Sequence, residues 1–168
     1  MNVLMNPRVG NLLGFAACAG MMAFALFAQY VLGLEPCPLC IFQRVAVIGL
    51  GLWFLLAALH PAGVIGRWVY AVLLALTALL GAGVAGRHLW LQSLPADKVP
   101  ACGPGLDFML ETFPFTEVLT IVLSGSGECA EVSWRLLGLS MPAWTLIGIA
   151  GLGVFGLWVN LFGKRPGL

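Results

Sequence analysis

Charge is what this sequence has least of. Its 168 residues include 8 Lys and Arg and 7 Asp and Glu, or 9%, where a soluble domain carries about 25%. That scarcity excludes an ordinary water-solvated globule. A net charge of +1, carried by scattered basic residues, leaves no footprint for nucleic acid. Histidine is scarcer still. The two present, His60 and His88, have no second histidine nearby. With a single Cys-x-x-Cys in the chain, the sequence therefore lacks the spaced ligand set of a four-coordinate zinc site, and no metal ligand is assigned.

What remains is apolar. Hydrophobic residues make up 61% of the chain, with a mean hydropathy of +1.01, and the length suggests a single domain, 1–168. Four charge-free stretches are long enough to cross a bilayer core of about 30 Å, at approximately 11–33, 41–59, 67–87 and 142–162. The second reaches spanning length only if its helix starts near Cys40, and Pro142 is well placed to open the fourth. The apolar run after Arg8 continues to Leu34, beyond the core of a cleavable signal peptide, so a retained span is expected. The fold class that follows is an all-α membrane protein, a four-transmembrane-helix bundle. Its loops at approximately 34–40 and 88–141 lie on one side and both termini on the other.

The basic residues divide evenly between the two sides. Arg8, Arg67, Lys164 and Arg165 lie with the termini, against Arg44, Arg87, Lys98 and Arg135 in the loops, which also hold every Asp and Glu. Long loops count less in setting orientation, so this pattern favours cytoplasmic termini. The cysteines strengthen it. Of five, Cys18 falls mid-span as a small hydrophobe with no assigned role, whereas Cys37, Cys40, Cys102 and Cys129 all fall in the two loops, two in each. Disulfide chemistry persists in the periplasm and not in the cytosol.

Cys37-Pro38-Leu39-Cys40 reads as a redox-active dithiol, because a structural disulfide closing so short a loop stabilises little. At the start of a helix, and one turn from Arg44, Cys40 sits where unpaired N–H groups and a guanidinium favour thiolate. Arg44 is equally placed to snorkel at the membrane boundary. Cys102 and Cys129 would by themselves fit a structural staple of roughly 3–4 kcal/mol. His88 and Gln92, one turn apart at the end of the third span, add donors at the depth of Cys40. With Arg44 they would suit the carbonyls of a quinone, although polar residues also simply mark helix ends. The interrupted apolar stretch from Phe108 to Leu123 suggests a short interfacial helix. Gly81-Ala82-Gly83-Val84-Ala85-Gly86 matches a dinucleotide fingerprint literally. Inside a span, however, Ala78, Ala82 and Gly86 read as close helix packing.

The segments Cys37-Pro38-Leu39-Cys40-Ile41-Phe42-Gln43-Arg44, His88 with Gln92, Gly127-Glu128-Cys129-Ala130-Glu131 and Leu137-Gly138-Leu139-Ser140-Met141-Pro142-Ala143-Trp144 together resemble the bacterial disulfide bond formation protein B (DsbB) family over nearly the whole chain. The resemblance implies a multi-pass protein of the bacterial inner membrane. It implies catalytic pairs Cys37/Cys40 and Cys102/Cys129, and quinone contacts from Arg44, His88 and Gln92. The partner would be a periplasmic DsbA-like thioredoxin-fold dithiol and the electron acceptor a ubiquinone or menaquinone. Two alternatives stay open. A quinone reductase resembling vitamin K epoxide reductase would place its Cys-x-x-Cys after the loop pair, opposite to the order here. A non-enzymatic protein with two structural disulfides would consume no quinone.

Overall fold

The computed structural model describes residues 6–60, 63–99, 108, 111–125, 127–132 and 134–163. Cys102 lies outside the described residues. Four long helices dominate: α1 (Pro7–Tyr30), α2 (Pro38–Leu59), α3 (Val64–Gln92) and, last in the chain, α6 (Met141–Phe162). Each is long and apolar enough to cross a membrane. Between α3 and α6 come a 3-10 turn (Ala96–Lys98), the short helices α4 (Phe115–Ser124) and α5 (Gly127–Ala130), and a two-stranded hairpin of β1 (Arg135–Leu136) and β2 (Leu139–Ser140). This is the expected four-helix membrane bundle. The third helix runs past the approximate span end at residue 87 to Gln92, which puts His88 and Gln92 on one helical face at its end, as expected.

α3 packs along α6 and α1 along α2, while α2–α3 and α1–α6 contacts close the ring. The central core joins Cys18, Val47, Leu50, Phe54, Leu74, Ala78, Ile149 and Leu152. Small residues set the spacing. A Cβ added at Gly153 would lie 2.6 Å from that of Ala78, and one at Gly14 would meet the Phe54 ring at 2.6 Å. In lipid, where no hydrophobic force separates helix from tail, such close approach is what holds spans together. The expected packing stripe of Ala78, Ala82 and Gly86 holds in its first two members and is corrected at the third. Ala78 is buried and Ala82 packs against the core, but the close approach on α3 continues through Gly81 and Ala85, whereas a Cβ added at Gly83 or Gly86 would meet nothing within 4 Å. The other faces of the helices are apolar and exposed, as at Ile65 (82% exposed) and Leu80 (73%), which suits acyl chains and not water.

At the end remote from the Cys-x-x-Cys, polar groups are buried and fully paired. The Asn11 and Asn160 amides donate to each other's Oδ1 at 3.2 and 3.1 Å. Each also donates to a carbonyl one turn back in its own helix, Pro7 O and Gly156 O. Arg67 of α3 donates to the Asn160 and Gly163 carbonyls at 2.7 and 2.8 Å. Backbone and side-chain groups at membrane depth must find such partners inside the protein.

Candidate functional site

Extended backbone after α1 leads into α2, whose N-cap is Cys37 (ψ 163°) and whose first helical residue is Pro38. Proline suits that position because its missing N–H would have no partner there. The helix therefore starts three residues before the expected 41. Cys37, not Cys40, takes the cap position, and Cys40 lies inside the first turn. The two sulfurs are 3.1 Å apart.

The imidazole of His88 lies against both sulfurs. Its Nε2 is 3.8 Å from Cys37 Sγ and its Nδ1 4.0 Å from Cys40 Sγ. Cys37, Cys40 and His88 offer ligand atoms that all lie within 4.8 Å of one another. His88 is buried, and its Nδ1 accepts from the Gln43 amide at 3.1 Å. Since an amide nitrogen only donates, this contact puts the proton of a neutral His88 on Nε2, facing Cys37. Gln43 was not singled out from the sequence. Its signal was its place three residues after Cys40, on the same helical face.

Arg44 sits one turn below Cys40, as expected, but its guanidinium is engaged by α1. It donates to Gln29 Oε1 and, at 3.1 Å, to the Ala25 carbonyl. These bonds use two of its five donor hydrogens. The residue thus ties α1 to α2 while still lining the space beside Cys40.

Cys129, on α5, is buried. It belongs to a cluster with Leu39, Leu91, Val118 and Val122, against which Cys37 and Phe42 also pack. The periodicity of α4 creates this seat. Val118 and Val122, one turn apart, point inward, while Glu117 and Thr120 stay exposed. A short helix is found within the stretch where one was expected, and this face of it packs on protein. Its last carbonyl, Ser124 O, accepts from Arg87 at 2.9 Å, and that guanidinium also lies 4.1 Å from the Trp90 ring centre. The turn to α5 is made at Gly125, with φ of +90°, where any side chain would also collide with Leu91. Glycine alone meets both conditions.

The hairpin closes the remaining side. Leu137 and Gly138 both have positive φ (51° and 82°), as a two-residue type I′ turn requires. Trp144 Nε1 donates to Leu136 O at 3.1 Å, Trp134 meets Phe24 of α1 with ring centres 5.7 Å apart, and Ser140 donates to Gln92 Oε1 at 2.8 Å. That last bond leaves the Gln92 NH2 to donate. The result is a cleft of roughly 880 Å³ including its open mouth. Met21, Met22, Ala25 and Val47 form apolar walls, and Cys37, Cys40, Gln43, Arg44, His88 and Gln92 the reactive side. Glu35, Glu128 and Glu131 also line it. Of the seven residues singled out from the sequence, five therefore meet at this cleft, Cys129 packs next to it, and Cys102 lies outside the described residues.

Comparison with known proteins agrees with this geometry. The family model "Disulfide bond formation protein DsbB" matches residues 7–159. Relatives named disulfide bond formation protein B include one from Chromobacterium violaceum, 56% identical over 98% of both chains. Another, from Hahella chejuensis, is 58% identical over 99% of both, and one from Nitrosococcus oceani is 59% identical over 87% of this chain and 86% of the relative. A matched region that takes in the first three spans, most of the fourth, the Cys-x-x-Cys, His88 and the Cys129 loop places this chain in the DsbB family of disulfide bond formation proteins.

Proposed function

We propose that the protein is a thiol:quinone oxidoreductase that reoxidises a periplasmic DsbA-like dithiol, with both termini in the cytoplasm. The observation that carries this reading is a dithiol opening onto an apolar-walled cleft at one end of a membrane bundle, with a second-loop cysteine buried against it. A thiolate of the reduced partner attacks Cys102 of the Cys102–Cys129 disulfide, releasing Cys129. Cys129 then attacks Cys37 of the Cys37–Cys40 disulfide, and Cys40 leaves as a thiolate at the cleft. The partner's second thiolate then resolves the mixed disulfide and the partner leaves oxidised, while the freed Cys102 attacks Cys129, restoring Cys102–Cys129 and releasing Cys37. Each step exchanges one S–S bond for another, and the partner's two electrons come to rest on the Cys37/Cys40 dithiol. The Cys129 seat beside Cys37 supplies the proximity that the second exchange requires.

A quinone is the acceptor that suits the cleft. Its ring is apolar, and its two carbonyls need donors such as Arg44, His88 and the Gln92 NH2. Two electrons and two protons pass to it as Cys37–Cys40 reforms, and it leaves as quinol. A DsbA-type dithiol, near −120 mV, lies above the potentials of ordinary thiol pairs, so a stronger acceptor must drive the cycle. The test mixes detergent-solubilised protein with a reduced DsbA-like dithiol and a soluble quinone while quinone absorbance is followed. Quinone loss abolished by both Cys37→Ala and Cys102→Ala is expected. Loss that persists in Cys102→Ala would make the loop pair a staple, and no loss in the unaltered protein would overturn the reading.

A further inference from the structure

The sequence contains no spaced set of four metal ligands, yet folding brings three soft or borderline donors to one point. Cys37 and Cys40 place their sulfurs 3.1 Å apart, and His88, 48 positions beyond Cys40, places Nε2 at 3.8 Å from Cys37 Sγ. In a tetrahedral zinc site with Zn–S of about 2.3 Å and Zn–N of about 2.0–2.1 Å, neighbouring donors stand roughly 3.5–3.8 Å apart. All three ligand atoms here lie within 4.8 Å of one another, so small adjustments close the set. The second ring nitrogen is already held, by Gln43 at 3.1 Å. A half-turn of that amide presents Oε1 to an Nδ1–H and frees the Nε2 lone pair, which is the outer-shell arrangement that orients metal-binding histidines. The fourth position faces the cleft, whose lining includes Glu35, Glu128 and Glu131, carboxylates that draw in a cation.

We propose that Cys37, Cys40 and His88 form a redox-gated site for a thiophilic divalent cation, of which zinc is the type. Only the dithiol form binds. The ion displaces two thiol protons, forms two Zn–S bonds and one Zn–N bond, and leaves the sulfur oxidation state unchanged. The disulfide form has no thiolates to offer. Bound metal occupies the sulfur lone pairs that would otherwise attack a disulfide or an acceptor. Under the proposed relay it therefore arrests the protein in its reduced state, where electrons have arrived and acceptor is short. That inhibitory consequence rests on the relay, whereas metal binding itself does not.

The experiment titrates Zn2+ into purified full-length protein in detergent, reduced with a phosphine, against a chromophoric chelator. Cys102→Ser/Cys129→Ser keeps the loop thiols out of the count. One zinc per chain is expected for this reduced variant and none for its Cys37–Cys40 disulfide form. Adding His88→Ala should lower affinity at least tenfold, and adding Cys37→Ser should abolish binding. Co2+ added to the reduced, otherwise unaltered protein gives an independent reading that needs no variant to fold. Thiolate-to-cobalt charge-transfer bands with intense tetrahedral visible bands are expected. Failure of the reduced double-serine variant to bind zinc overturns the proposal, as do full affinity in His88→Ala and a weak octahedral cobalt spectrum. Because the readouts are stoichiometry and spectrum, they stand apart from any failure of quinone reduction.

Discussion

The seating of Cys129 depends on two valines, and loosening them should expose it by a calculable amount. Val118 and Val122 are 0% and 3% exposed, packed against Leu39 and Leu91. Each Val→Ala replacement removes two buried methyl groups, at about 0.8 kcal/mol per carbon, so the double variant weakens docking of α4 by about 3 kcal/mol. Since 1.36 kcal/mol is a factor of ten, the open population rises roughly 150-fold. Cys129 is 1% exposed in the docked form, so a soluble alkylating reagent meets it chiefly when the loop opens, and the alkylation rate follows the opening equilibrium. In a background lacking the other four cysteines, Val118→Ala/Val122→Ala should speed Cys129 alkylation by about two orders of magnitude. With all cysteines present, it should slow formation of the Cys37–Cys129 bond. An alkylation rate within threefold of the parent would refute the reasoning, because Cys129 would then owe its shelter to something other than α4.

Other consequences follow from single contacts. Gly153→Ala should cost about 1–3 kcal/mol through overpacking against Ala78, seen as faster thermal inactivation in detergent, and Ala78→Gly should restore it. Asn11→Ala and Asn160→Ala should show a coupling of about 1–2 kcal/mol in a double-mutant cycle of unfolding in mixed micelles. Additive losses would mean that the two amides do not depend on each other. Arg44→Lys loses the fork that reaches Gln29 and Ala25. It should raise the quinone KM about tenfold or more, the worth of a charge-assisted bond, while thiol exchange with the partner dithiol proceeds unchanged. Cys18→Ala should leave electron transfer unaltered and cost roughly 1 kcal/mol in stability.

The spans were legible because lipid imposes a crude condition, about twenty residues without charge, which a sequence displays directly. The grouping of Cys37, Cys40 and Cys129 was legible for a similar reason, since the order of the spans puts the segments that carry them on one side. Gln43 and His88 are different. They meet across 45 positions on separate helices, and neither periodicity nor spacing encodes which rotation of α2 faces which rotation of α3. The engagement of Arg44 by Gln29 has the same character, as does the placement of Gly81 rather than Gly86 at the helix contact. Local patterns specify what a helix needs on its faces. The partner for each face is decided only when the bundle closes.

That closure carries a consequence for biogenesis. Asn11 enters the bilayer with the first helix, and the amide that satisfies it belongs to Asn160, 149 residues further along the chain. Until the last helix arrives, a polar side chain waits in the membrane with only its own backbone to bond, a state that favours premature or foreign partners. Arg67, on the third helix, likewise finds its carbonyl acceptors only at the end of the fourth. Assembly is thus proofread by completeness. A chain cut short before Asn160 keeps three membrane helices and the whole Cys-x-x-Cys, yet displays an unsatisfied amide and guanidinium of the kind by which membrane quality control can recognise an unfinished protein.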